Sequence, residues 1–352
     1  MDLSRFAFAR PHVLLVESPG GTASRLALER VLRERGWPLT DSPADADILA
    51  VAGTGLRPYA DRVWAQLPGP RARVDLAHPE HAGGALDGAQ RALFDGAAQG
   101  EDAATRSGPP SDQSEGDGMP AGHGMPAAHG MPAGLDMADR APDRDGLLLD
   151  VLHVPWGPAL PWWPAGLVLH SRLQGDVLAE VEVSWVGDAR SASSFWTSAA
   201  EAVGPARTAA AARLDALGRL LAVAGWEGER LRAQRVRDAL LDGGEDAVRL
   251  AGLAGLQRLH QRVGRSRTLA RMTSGLGRLG GGDVTARYRQ WLTDAIAALE
   301  SGADSPVTPL PDDLDDVLTR LLTGTEVSSA RLVVASLDPW LTGALVAGAA
   351  RD

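Results

Sequence analysis

Apolar and polar residues alternate along this chain in several distinct rhythms. Residues 12–17, HVLLVE, form a nearly unbroken apolar run that ends in Ser18-Pro19-Gly20-Gly21-Thr22, after which Leu26, Leu28, Val31 and Leu32 fall at helical spacing. A short apolar run bounded by turn residues predicts a buried strand, and the spacing after it predicts a helix. A turn at Asp41-Ser42-Pro43 precedes a second predicted strand over Asp47–Thr54, then a helix over Tyr59–Gln66 and a short third strand over Arg73–Leu76. Strands that alternate with helices predict a parallel, flavodoxin-like sheet.

A different rhythm begins at Pro155. Pro155, Pro158, Pro161 and Pro164 fix φ at four points and remove four backbone donors, so this stretch predicts a stiff, tryptophan-bearing loop. From Leu167 the pattern alternates strictly, with Leu167, Leu169, Ser171 and Leu173 on one side and Val168, His170 and Arg172 on the other. Gln174-Gly175-Asp176 interrupts it, and Val177, Ala179, Val181 and Val183 resume the alternation against Leu178, Glu180 and Glu182. Two such runs around a glycine turn predict a β-hairpin with one buried face.

Beyond the hairpin the period becomes helical. Leu214, Leu217, Leu220 and Leu221 predict a core helix over 205–225, and the next helix, 226–241, carries Arg230, Arg232, Arg235 and Arg237 on its expected outer side. Further helices are predicted over 246–263, over 284–299 behind Asp283 as N-cap, and from about Leu310. The run Arg331–Pro339 predicts a last strand and turn.

Between about Ala97 and Asp145 large apolar residues almost disappear, which predicts a disordered linker rich in Gly, Pro, Met and His. The expected organisation is an α/β domain over 1–97, a linker over 98–146, and a mainly helical domain over 147–352 opened by the hairpin. The linker repeats a six-residue unit beginning at Met119, Met125 and Met131. Thioether and imidazole groups suit Cu(I), making His123, Met125, His129 and Met131 a candidate metal set, with a plain expanded repeat as the alternative.

Composition narrows the function. The 352 residues carry a net charge of −10, which argues against nucleic acid as a partner. Without any cysteine, a disulfide, a thiolate zinc site and a Cys-ligated iron–sulfur cluster are excluded. The first residues lack a signal-type apolar core, so a cytoplasmic location is expected. Two apolar stretches, 147–169 and 332–350, are broken by charge or proline, so no transmembrane segment is expected, although the tryptophans suit contact with a membrane surface. HExxH, GxSxG and a cysteine nucleophile are all missing.

The proline-rich loop also carries a family resemblance. Gly157-Pro158-Ala159-Leu160-Pro161-Trp162-Trp163-Pro164-Ala165 resembles the Gly-Pro-x-His-Pro-x-x-His-Gly motif of the hydrogenase-large-subunit-like (NuoD-type) subunit of respiratory complex I. LDALGRLLAVAGW with RAQRVRDALL is similar to that subunit's long helix pair, and RLVVASLDPWLTG to its closing strand. Upstream, ADILAVAGT with WAQLPGPRARV resembles the hydrogenase-small-subunit-like (NuoB-type) partner. The resemblance implies a fusion of the two, in small-then-large order. The family's two motif histidines fall on Leu160 and Pro164, and its paired cysteines fall in the Ser18–Gly21 loop. With those ligands replaced, the resemblance implies a catalytically degenerate paralogue without a cluster. Its implied role is an accessory or assembly subunit of an actinobacterial-type NADH:quinone oxidoreductase, at the inner face of the plasma membrane. An alternative implication is a remnant pocket for menaquinone, formed by His153, Trp156, Leu160, Trp162, Trp163, Pro164 and His170.

Other constellations are less specific. Ser18-Pro19-Gly20-Gly21 is either a tight turn or an anion-binding loop at a helix N-terminus, and His78 and His81 are expected in an exposed glycine-rich loop. Arg258, Arg262, Arg265, Arg267 and Arg271 lie in a stretch free of acids and form a candidate partner contact, with a solvated helix face as the alternative. Gly275–Gly280 satisfies GxGxxG but comes after a helix, which removes the βαβ context that a dinucleotide site requires.

Overall fold

The computed structural model describes residues 8–106, 140–142, 146–187, 194–242, 246–302 and 313–341. The N-terminal part is a three-stranded parallel sheet of β1 (Val13–Glu17), β2 (Ile48–Ala52) and β3 (Ala72–Leu76), standing in sequence order. Val13 is level with Ile48, and Ile48 with Ala72. Helices α1 (Thr22–Arg35), α2 (Arg57–Gln66), α3 (Ala82–Phe94) and α4 (Gly96–Arg106) surround it. Val13, Leu15, Ile48, Ala50 and Val74 pack with Leu28 and Leu32 of α1 and Leu86 of α3. The opposite face, with Leu14, Val16, Leu49 and Val51, packs with Ala60 of α2 and with Ala159 and Val186 from the C-terminal part. Burial on both faces explains why β1 and β2 are apolar runs, whereas the edge strand β3 alternates, with Arg73 half-buried and Asp75 exposed.

The C-terminal part opens with an antiparallel sheet in the order β4 (Arg140–Pro142), β5 (Leu148–Trp156), β6 (Leu167–Gln174) and β7 (Val177–Trp185). The predicted hairpin is β6–β7, with Gly175 at φ 61° in its turn. Helices α5 (Ser194–Val203), α6 (Pro205–Val223), α7 (Glu227–Leu241), α8 (Asp246–Leu259), α9 (Arg267–Thr273), α10 (Val284–Ser301), α11 (Leu314–Leu322) and α12 (Val327–Leu341) come next, with a π turn over His260–Gly264. Helix α6 is the axis, contacted by α5, α7, α10 and α12. The backbone around Gly324–Val327 bonds to Leu178 and Asp176 and so covers the outer edge of β7.

Several expectations are corrected. The predicted last strand is helix α12: Leu332, Val333, Val334, Ala335 and Leu337 are all buried, and an apolar run buried all round fits a strand and a core helix equally well. The linker begins later than predicted, because residues 96–106 form α4. Arg71 anchors that helix through two bonds to Asp102, of 2.8 and 3.0 Å, while lying over the Trp64 ring. At the other end of the predicted linker, Arg140–Pro142 pairs with Leu148–Asp150. The proline stretch also starts later, since Pro155 and Trp156 belong to β5. Beyond Asp150 that strand has no outer neighbour among the described residues, so the missing proline donor is tolerated. His78 precedes a short 3₁₀ turn, Pro79–His81, that leads into α3, so the glycine-rich stretch is a helix start and not a loop. The repeat with His123, Met125, His129 and Met131 lies outside the described residues. Among the described residues, no helix is long and apolar enough to cross a membrane.

Candidate functional site

The loop between β5 and β6 sits where the two halves of the chain meet. Gly157 makes its tight entry: φ is 82°, and a Cβ there would lie 2.3 Å from the Leu167 carbonyl and 2.5 Å from Trp163 Nε1. Only glycine fits. Trp163 is buried and donates from Nε1 to the Leu167 carbonyl at 2.8 Å. Trp162 adopts φ 57°, rare for a residue with a Cβ. Its indole donates to Asp41 Oδ1 at 2.6 Å and stacks under Arg230, 4.8 Å from the ring centroid. Pro164 is buried and accepts from Leu167 N–H. Trp156 points to the opposite, core-facing side and donates to Ser171 Oγ at 2.8 Å.

The seven residues of the predicted pocket are therefore not gathered in one place. Leu160, Trp162 and Trp163 border a cavity of about 20 Å³ together with Glu17, Arg25 and Arg219. That volume holds a water molecule and is far too small for a quinone ring. Leu160 and His170 also line an open cleft of about 560 Å³ on the other side, between α2 and the antiparallel sheet, with Tyr59, Val168 and Trp185. His170 lies 3.1 Å from Ser184 Oγ and is exposed. His153 is exposed opposite Arg172, and neither it nor Trp156 lines the small cavity or the open cleft. Trp163 is buried and Trp162 half-buried at this junction.

Behind the small cavity lies a feature that periodicity does not predict. Arg25 on α1 donates from Nε to Glu17 Oε2 (2.8 Å), from Nη1 to Glu29 Oε1 (2.8 Å), and from Nη1 and Nη2 to the two Asp215 oxygens on α6 (3.1 and 2.7 Å). Arg237 on α7 reaches Glu29 Oε2 at 2.8 Å and Asp215 Oδ1 at 2.6 Å, while Nε binds Asp238. Arg219 lies 3.2 Å from both Glu17 and Asp215, and Arg33 pairs with Asp238. Four carboxylates thus meet four guanidinium groups, and Arg25, Glu29, Asp215 and Arg237 are each at most 5% exposed. The expectation that Arg230 and Arg237 face outward is corrected, since both are buried in or beside this network, whereas Arg232 and Arg235 are exposed.

Burial by itself would raise the pKa of Asp215, but Arg25, Arg219 and Arg237 outweigh it and hold the carboxyl far below the usual carboxylate range. Glu29 is lowered in the same way, by Arg25 and Arg237 against burial. Burial opposes the charge on Arg25 and Arg237 too, yet their carboxylate partners raise both. All four groups stay ionised at neutral pH. They form a fixed electrostatic joint with no titrating acid or base.

The remaining candidates separate. In the Ser18–Gly21 loop a Cβ on Gly21 would lie 2.2 Å from the Ala52 carbonyl, and Thr22 Oγ1 donates to Glu17 at 2.8 Å. Glu17 thus bonds the hydroxyl of the first residue of α1, and no side chain caps the helix. Arg258 and Arg262 line a cleft between α7 and α8, whereas Arg265, Arg267 and Arg271 are exposed around the π turn and α9. No group of three or more metal-ligating side chains occurs among the described residues. No protein-family model matches the chain, and no curated protein or solved structure matches it.

Proposed function

We propose that the chain is a non-catalytic accessory or assembly subunit of the peripheral arm of a respiratory complex I, a fused relative of its small and large quinone-module subunits. One observation carries the reading. At the junction of the β1 loop with the tryptophan loop, where the resemblance puts cluster and quinone head group, the chain holds two tryptophan side chains, an ion-paired network and only about 20 Å³ of free volume. A junction filled in this way keeps two domains in fixed relation, as a scaffold requires. Affinity purification of the tagged chain from its native membranes, with mass spectrometry of the eluate, is expected to recover NADH:quinone oxidoreductase subunits in constant ratio. Their absence from repeated preparations retires the proposal.

A second reading, a menaquinone-binding module, draws its support from the open cleft of about 560 Å³, whose volume and aromatic lining by Tyr59 and Trp185 suit a flat apolar ring. Solvent extraction of the purified chain with chromatographic analysis tests it. Menaquinone in near-stoichiometric amount supports this module, and its absence leaves the scaffold alone.

A further inference from the structure

The cleft between α7 and α8 has about 450 Å³ of free volume, within the range of small-molecule sites. Two glycines on α8 shape it. A Cβ on Gly252 would lie 2.6 Å from Leu240 Cδ2, and one on Gly255 would lie 2.6 Å from Val236 Cγ2, so the helices approach through bare backbone. Their arginines are thereby brought together at the rim: Arg232 and Arg235 from α7, Arg258 from α8 and Arg262 from the π turn. Among the described residues, Glu229 is the single carboxylate lining the cleft. Its Oε1 accepts from Arg232 at 2.5 Å and from Arg262 at 2.6 Å. Arg235 and Arg258 have no ion pair among the described residues.

Glu229 Oε1 takes Arg232 and Arg262, and Arg235 and Arg258 stay without an ion pair among the described residues, so the cleft carries a net positive charge around one carboxylate. Like charges that converge on a concave surface favour a ligand with at least two negative charges.

We propose that this cleft binds a small, soluble, multiply phosphorylated molecule, with its phosphate oxygens on Arg235, Arg258 and Arg262. Arginine suits the task, because its planar fork meets phosphate oxygens in pairs. The site is independent of the scaffold reading and survives its failure.

Isothermal titration calorimetry with ADP and with inorganic pyrophosphate tests the assignment on the full chain. Both probes are expected to bind, with dissociation constants on the order of micromolar. Arg235→Ala and Arg258→Ala, which remove exposed side chains, each weaken binding by about tenfold, whereas the Arg267→Ala/Arg271→Ala pair, outside the cleft, changes it by less than about twofold. Glu229→Gln, which removes the carboxylate charge lining the cleft, leaves binding of both probes unchanged or tighter. Absence of heat at about 1 mM probe, or a loss from the Arg267→Ala/Arg271→Ala pair equal to that from either cleft variant, overturns the proposal. Binding to phosphatidylglycerol vesicles without binding to either soluble probe also overturns it, and assigns the arginines to a lipid surface.

Discussion

Asp215→Asn is the sharpest test of the electrostatic joint. The substitution keeps the shape of the side chain and removes one charge from a network in which Arg25, Arg219 and Arg237 all lie within 3.2 Å of that carboxylate. Three buried guanidinium groups then share Glu17, Glu29 and an Asp238 already paired with Arg33. One positive charge is left without a counter-ion in a nearly dry site. Loss of one partner from a buried pair costs roughly 3–5 kcal/mol, far more than the 0–1 kcal/mol of an exposed pair. At about 2–4 °C per kcal/mol for domains of 150–250 residues, the melting temperature is expected to fall by roughly 6–20 °C. The pH dependence supplies an independent check. Asp215 and Glu29 have depressed folded pKa values, so the unfolded chain binds more protons below about pH 5, and stability is lost as pH falls through the carboxylate range. The wild type should therefore lose more stability between pH 7 and pH 4 than Asp215→Asn does. Differential scanning calorimetry at both pH values measures both effects. A shift below about 2 °C at pH 7, or parallel losses on acidification, refutes the reasoning.

Other expectations rest on single contacts. Gly157→Ala drives a methyl group into the Leu167 carbonyl and Trp163 and should cost more than about 3 kcal/mol, read as a fall in the midpoint of urea unfolding; an unchanged midpoint contradicts the geometry. At Trp162, whose φ is 57°, Trp162→Gly should be more stable than Trp162→Ala by about 1 kcal/mol, because both lose the Asp41 bond and only alanine retains the strained backbone. Arg71→Ala releases α4 from Asp102, so limited proteolysis should cut within 96–106 at least several-fold faster, while cleavage within 205–223 stays unchanged.

The parts of the fold that sequence reveals are those in which one period dominates. The β1 and β2 runs, the β6–β7 hairpin and the leucines of α6 each match their element, except that Leu178, expected beside Glu180 and Glu182, is buried where the hairpin register shifts. The last apolar run did not, because burial all round erases the contrast that distinguishes a strand from a helix. The arginines of α7 misled for the opposite reason. A charge run is ordinarily a wetted face, yet Arg237 is 1% exposed because its counter-ions come from α1 and α6, more than 20 residues away. A local signal was present: Arg25 and Glu29, and Asp215 and Arg219, are opposite charges one turn apart, and Asp215 and Arg219 interrupt the alanine- and leucine-rich stretch of the central helix. Charges inside an apolar stripe point to a partner elsewhere in the fold. The tryptophan loop was legible as a stiff turn, but which way each indole faces depends on Gly157 and on Asp41, a residue 121 positions before Trp162.

Carboxylates and guanidinium groups of the joint alternate across the seam, with Glu17, Arg25, Glu29 and Arg33 from the first half and Asp215, Arg219, Arg237 and Asp238 from the second. Each half taken alone would carry into water a patterned set of charges shaped for the other and for nothing else. Cutting the chain between 107 and 139 should therefore yield two polypeptides that recapture one another in trans, and a single reading frame guarantees that neither is ever made without its match.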